Sequence, residues 1–416
     1  MFRFLHTADL HLDSPMIGLS SREGAAVDAI LGASRRAFEN LINLAIEEQV
    51  AFVVIAGDVY DRDWKGYETG LFFRKSMVRL REAGILVYLI SGNHDAVSII
   101  SRKLSLPEGV TVFSSKTPET RELENLPVAI HGMSFPNRAV EENLVPSYPA
   151  PVPGKFNLGI LHTSLAGDAG HDTYAPCSVN ELVEKGYDYW ALGHIHQPRV
   201  LHQDPWIVYS GNLQGRSVKE CGERGCRIVT VNDSRAVTDC RWHTLDVARW
   251  AVVTVDITGM ASVEEIATLT KRRLSEGLEA AEDRIMAVRL VIAGATELHG
   301  ALHSRPDRLE AEIQARTDEL GEDRLWIERV RLETTPVVSL EVLAERDQLT
   351  RMVVRTIQTE TTDQPLPVEI TGMMELLPPG LRESLNAEIA GEGRSELMRT
   401  AGQMILNRLT TKGDPA

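Results

Sequence analysis

Five short stretches of this 416-residue chain hold side chains that could do chemistry together. They are Asp9 and His11; Asp58 and Asp61 in Gly57-Asp58-Val59-Tyr60-Asp61; Asn93, His94 and Asp95 in Gly92-Asn93-His94-Asp95; His162; and His194 and His196 in Gly193-His194-Ile195-His196. The donors are imidazole, carboxylate and carboxamide groups with no thiolate among them, a set that suits Mn2+, Fe2+, Mg2+ or Zn2+ in a dinuclear arrangement. Two cations about 3.5–4 Å apart need a bridging carboxylate, and Asp58 is the natural candidate.

These clusters need elements to bring them together. Apolar strands are expected over 2–8, 51–56, 85–90, 156–161 and 189–192, and each cluster begins where one of them ends. Helices are expected between the first three, over 24–49 and 67–83, so the first 245 residues read as a layered α/β domain. In such sheets the loops at the carboxyl ends of the strands converge on one crevice, where ligands bind. Glycine before Asp58, Asn93 and His194 lets the backbone turn tightly there. Four prolines between 146 and 155 predict a loop, and Ser178 with Glu181 predicts a capping box. A second unit begins near Trp250, with strands expected over 252–257, 284–292 and 325–333 and helices over 262–279 and 305–320. From 339 onward the pattern is helical, broken by proline pairs, with short amphipathic pieces over 381–389 and 396–409. His6, His131, His202, His243, His299 and His303 lie outside the clusters and read as core or surface residues.

Composition narrows the function classes. Asp and Glu number 59 against 44 Lys and Arg, a net charge of −15, and no basic block interrupts the acidic excess. A chain that grips nucleic acid by itself neutralises phosphates with a basic surface, so the composition argues against tight solitary DNA binding. A phosphate-bearing substrate must be drawn in by bound cations or by a partner. No apolar run reaches the roughly 18–20 residues that span a bilayer, which implies no membrane association. The first apolar residues meet Asp9 and His11 too soon to form a signal-peptide core, so a cytoplasmic protein is expected. Four cysteines are too few for a disulfide framework.

The ordered series Asp9-x-His11, Gly57-Asp58-x-x-Asp61, Gly92-Asn93-His94-Asp95, His162 and Gly193-His194-x-His196 resembles the calcineurin-like metallophosphoesterase superfamily. Within it the chain is similar to the SbcD/YhaO-type DNA repair exonucleases, nearest the YhaO group, through Phe4-Leu5-His6-Thr7-Ala8-Asp9-Leu10-His11-Leu12, Tyr174-Ala175-Pro176-Cys177 and Tyr189-Trp190-Ala191-Leu192-Gly193-His194. The resemblance implies an α/β sandwich nuclease domain over 1–245, a small α+β capping domain over 246–335 and a helical segment over 336–416. It implies two divalent ions, Mn2+ first and Fe2+, Mg2+ or Zn2+ next. Asp9, His11, Asp58 and His196 would hold one ion, and Asp58, Asn93, His162 and His194 the other. His94 would stand beside the phosphate as the catalytic acid, with Asp61 orienting it and Asp95 as a structural carboxylate. Arg62 is the candidate substrate contact, and Asn212, Arg216 and Lys219 lie near the motif loops.

The implied partners are DNA and an SMC-like coiled-coil ATPase of the YhaN/SbcC type docking on 340–416. A homodimer is implied through Leu71, Phe72, Phe73 and Met77 and through Ile99, Ile100 and Leu104. The alternative is a phosphatase or phosphodiesterase acting on a small or protein-bound phosphate ester, because Asp61-Arg62 echoes the Asp-Arg pair of protein phosphatases.

Overall fold

The computed structural model describes residues 1–14, 25–61, 67–95, 105–165, 174–321 and 323–337, and beyond them 348, 351, 352, 355, 368–377, 382, 385, 386 and 401. Backbone contacts divide the chain into two units. The first comprises residues 1–252, 278–288 and 322–328, and the second 253–277, 289–321 and 329–416.

In the first unit the chain runs through β1 (Phe2–Thr7), α1 (Ala25–Leu31), α2 (Ala33–Glu47), β2 (Phe52–Ala56), α3 (Glu68–Glu82) and β3 (Leu86–Ile90). It continues through β4 (Val110–Val112), β5 (Glu119–Glu122), β6 (Val128–Gly132), β7 (Phe156–His162), α4 (Val179–Glu184) and β8 (Tyr189–Gly193). It then adds β9 (Arg199–Gln203), β10 (Trp206–Tyr209), β11 (Gly225–Val231) and β12 (Val237–Thr244). These strands form two six-stranded sheets, ordered β12-β11-β1-β2-β3-β4 and β5-β6-β7-β8-β10-β9. β1 to β4 pair in parallel in the first sheet, and β6, β7, β8 and β10 in the second. This is the expected layered α/β architecture.

Parallel strands covered on both faces read as unbroken apolar runs. β2, Phe-Val-Val-Ile-Ala, is buried at every position for that reason. Alternate side chains face opposite ways along each strand. Phe4, Phe52 and Ile90 therefore meet Phe156, Ile160 and Tyr189 between the sheets, with Phe4 stacked on Phe52. Leu5, Val53, Ile55 and Leu89 turn outward and pack under Phe38, Leu41, Phe73 and Leu80 of α2 and α3. The predicted helix over 24–49 is two helices, because the chain turns at Gly32 and Gly is the weakest helix former after Pro. The Ser178–Glu181 capping box is formed, side chain to backbone in both directions.

Farther along the chain, β13 (Ala248–Asp256), β14 (Ile285–Ala295) and β15 (Leu325–Thr335) form one sheet in that order, and the second unit holds their residues 253–256, 289–295 and 329–335. α5 (Val263–Ala280), α6 (His299–Ser304) and α7 (Pro306–Thr317) join them. α6 was not anticipated, since its six residues are too short to show a period. The C-terminal region contributes α8 (Val368–Glu375), while most of the pieces over 381–389 and 396–409 lie outside the described residues.

Candidate metal centre

β1, β2, β3, β7 and β8 deliver their carboxyl ends to the same edge of the two sheets, and the five clusters meet there. Asp9 follows β1 and donates its amide to the Gly57 carbonyl (3.0 Å), while His11 donates its amide to the Asp58 carbonyl (3.1 Å). The first two loops are thus laced to each other by backbone bonds. The backbone is left-handed at Asp9, His11, Asp58 and His194, with φ of 51°, 41°, 52° and 94°. Such conformations cost free energy in non-glycine residues and persist where surrounding contacts over-determine them.

Glycine is required where the loops touch. A Cβ at Gly92 would lie 2.2 Å from Asp58 Oδ1, and one at Gly193 would lie 1.9 Å from the Ala56 carbonyl oxygen. The glycines beside the ligand residues therefore permit approach of one loop to the next, beyond the tight turning anticipated from sequence.

Three groups of ligand atoms converge, each within 4.8 Å: Asp9, His11 and His196; Asp9, Asp58 and His162; and His11, Asp58 and His94. His11 Nε2 and His196 Nε2 approach to 3.1 Å. His162 donates Nδ1–H to the Ala56 carbonyl (2.9 Å), which turns its Nε2 toward Asp58 Oδ2 at 3.4 Å and Asn93 Oδ1 at 3.0 Å. The His194 amide donates to both oxygens of Asp9 (3.1 and 3.0 Å), and its ring lies against His162 and Tyr174. His94 donates its amide to Asp58 Oδ1 (2.9 Å), and its Nδ1 pairs with Asp61 Oδ1 at 2.8 Å. Asp61 also accepts from Ser14 Oγ (2.6 Å). Asp95 lies behind the ligand loops and accepts from the amides of Val59, Tyr60 and Gly92, pinning two loops together.

The buried carboxylates lean on neighbouring imidazoles for positive charge, which bound cations would supply in place of the imidazole protons. Burial would raise Asp58, but His162, and then His11 and His94, hold its carboxyl well below the usual carboxylate range. Burial would depress His162, yet Asp58 and Asp9 push it up to about 9. His11 is pushed down by burial, with Arg216 and His196 adding to the effect, so its imidazole is neutral. Burial opposes the charged form of His94, but its bond to Asp61 and the field of Asp58 raise it. Burial, with Asp58 close by, lifts Asp95 to about 7.

This donor set fits a pair of divalent cations. Neighbouring ligands of one ion, at bonds of about 2.1 Å, sit roughly 3 Å apart. The two Nε2 atoms of His11 and His196 have that spacing, and Asp9, His11 and Asp58 each belong to two of the three groups. Of the sequence candidates, Asp9, His11, Asp58, Asp61, Asn93, His94, His162, His194 and His196 are brought together, while Arg62 lies outside the described residues. Arg216 reaches this edge, with Nη1 3.7 Å from Asp61. Sequence reading missed Ser14 and Glu220, and Glu220 Oε1 lies 2.7 Å from His196 Nδ1. Neither sits in a motif, and the only signal for Glu220 was a polar stretch following β10. His6 pairs with Tyr189, His131 with Asn157, His202 with the Pro205 carbonyl, and His299 and His303 with Thr334, all away from this edge.

Comparison with known proteins agrees with this geometry. Residues 2–198 match the calcineurin-like phosphoesterase family, and residues 250–335 match the middle domain of metallophosphoesterase YhaO. The "Uncharacterized metallophosphoesterase YhaO" of Bacillus subtilis (strain 168) is 34% identical over 335 residues, 79% of this chain and 81% of that protein. The chain belongs to the calcineurin-like metallophosphoesterases. As a metallophosphoesterase it is a hydrolase of phosphoester bonds, from a family that binds two divalent metal ions. A solved structure, "GAP50 the anchor in the inner membrane complex of Plasmodium", aligns at 12% identity and a TM-score of 0.33 over 59% of this chain and 88% of that one, too loosely to carry an argument. No helix among the described residues is long and apolar enough to cross a membrane.

Proposed function

We propose that this chain is the nuclease subunit of a DNA repair exonuclease, hydrolysing DNA phosphodiesters with two Mn2+ ions in the cytoplasm. The observation that carries the metal-dependent reading is the convergence of Asp9, His11, Asp58, His162 and His196, from loops of two sheets, on one edge, where all but His196 are buried. Asp9, His11, Asp58 and His196 would hold one ion, and Asp58, Asn93, His162 and His194 the other. When bound, the ions supply charge neutralisation at phosphate and a nucleophilic water ionised near neutral pH.

The chain's own residues do the remaining work. His94 is partly open to solvent and pairs through Nδ1 with Asp61. Its Nε2–H is then free to donate to the leaving oxygen, a step typically worth about 10²–10⁴-fold. Arg216, Ser14 and His94 all bear on Asp61 and fix its carboxylate against that imidazole.

Two features favour DNA over a small ester: the motif resemblance to SbcD/YhaO-type nucleases, and residues 250–335, which match the YhaO middle domain. The net charge of −15 favours a partner that supplies the DNA-binding surface, in this proposal an SMC-like coiled-coil ATPase docking on 336–416. A homodimer through α3 is part of the same proposal; Leu71 on that helix is exposed, while Phe73 and Met77 face the core and Ile99, Ile100 and Leu104 lie outside the described residues.

Incubating the chelator-stripped protein with linear duplex DNA and with p-nitrophenyl phosphate, each with and without Mn2+, tests the reading. Metal-dependent DNA hydrolysis is expected, with the monoester much the poorer substrate. Rapid monoester turnover with intact DNA would instead make the protein a phosphatase. Co-purification of the ATPase with the full chain, and its loss on deleting 340–416, tests the docking segment.

A further inference from the structure

We propose that Glu220 is the positioning residue for His196, fixing that imidazole's proton and direction so that one of the two metal sites reaches full affinity. The proposal rests on reading the site as a dinuclear metal centre.

Glu220 ends a single 3-10 turn, Val218–Glu220, well after the motif that contains His196. Both of its oxygens are committed. Oε1 lies 2.7 Å from His196 Nδ1, and Oε2 accepts from the Arg216 amide (2.7 Å) and from Asn212 Nδ2 (2.9 Å). Arg216 Nη2 adds a contact to Oε1 at 3.3 Å. The carboxylate therefore cannot rotate without breaking two or three bonds at once.

An imidazole has one proton to place when neutral. Arg216 Nη2 also stands 3.3 Å from Nδ1, but the Glu220 contact there is shorter at 2.7 Å, so the carboxylate places the proton on Nδ1, and the Nε2 lone pair is presented where His11 Nε2 lies 3.1 Å away. A carboxylate behind a ligating histidine also raises the basicity of the coordinating nitrogen.

The loop carrying Glu220 is itself clamped. Gln214 Oε1 accepts from the amides of Val247 (2.9 Å) and Ala248 (3.2 Å), and Trp250 Nε1 donates to the Gly215 carbonyl (2.9 Å). Arg224 donates to the His196 carbonyl (2.6 Å), and the Asn212 amide does the same (3.2 Å). His196 is thus held at its backbone and at its ring by one loop, and that loop is tied to the start of β13.

Calorimetric titration of Mn2+ into the chelator-stripped full chain tests this, with wild type, Glu220→Gln and Glu220→Ala compared and thermal melts run beside them. Wild type should take up two ions. In Glu220→Ala one ion should weaken by about 10–100-fold, while the other stays within a factor of two or three. Glu220→Gln keeps a neutral acceptor and should fall between. Two variants that bind both ions as wild type does would overturn the proposal. Equal weakening of both ions with a lowered Tm would also overturn it, by making Glu220 a scaffold residue alone. Wild-type protein that takes up no Mn2+ would sink the metal reading and the Glu220 role with it.

Discussion

His94 Nδ1 lies 2.8 Å from Asp61 Oδ1, so the ring is oriented by Asp61 while its backbone amide is held by Asp58 Oδ1. The charged form of the imidazole is favoured by a carboxylate that Ser14 and Arg216 hold in turn. His94→Ala should therefore keep both ions and lose about 10²–10⁴-fold in turnover. Metal content and kcat measured on the same sample check this. A variant that sheds an ion would place His94 among the ligands, consistent with its presence in the group with His11 and Asp58.

Asp58 touches three of the clustered histidines, with Oδ2 3.9 Å from His11 Nε2 and 3.4 Å from His162 Nε2, and Oδ1 accepting from the His94 amide. Asp58→Asn keeps the shape but removes the charge needed to bridge two cations. It also weakens the acceptor of the His94 amide. Hydrolysis should fall to background and metal content below one ion per chain, read by elemental analysis after gel filtration. Chelation of the wild type should abolish the same activity, and Mn2+ should restore it.

Gly193→Ala places a methyl group against the Ala56 backbone, which cannot swing aside as a side chain would. Overpacking against backbone should cost about 1–3 kcal/mol. Because β8 and β2 lie on opposite sheets, the loss should appear as a lower urea midpoint with an unchanged slope. A variant as stable as wild type would show that the two strand ends can part cheaply.

His6 lies in the core between the sheets, bonded to the Tyr189 hydroxyl at 3.0 Å, and burial pushes it down to about 3. The unfolded chain takes up this proton near pH 6.5, while the folded chain does not until near pH 3. Between those values the unfolded state binds more protons, so stability rises with pH and is lost as pH falls below about 6.5. The slope from this one group is at most about 1.4 kcal/mol per pH unit. Melting curves from pH 7 to pH 4 should fall more steeply for wild type than for His6→Gln; parallel curves would remove His6 as the cause.

The ligand residue types, their order and their place at strand ends were legible in the sequence, because a strand buried on both faces must be apolar and stops being so where it leaves the sheet. Which strands neighbour one another was not. β7 and β8 belong to a different sheet from β1, β2 and β3, and no local pattern says that His162 will face Asp58 across that gap. The break at Gly32 and the brief α6 escaped periodicity for want of length. Glu220 and Ser14 are ordinary polar residues until folding carries them to His196 and Asp61. Local pattern reports what each segment can bury and which donors it bears; the partner each donor meets depends on contacts between residues far apart in the chain, and those exist only once the sheets have packed.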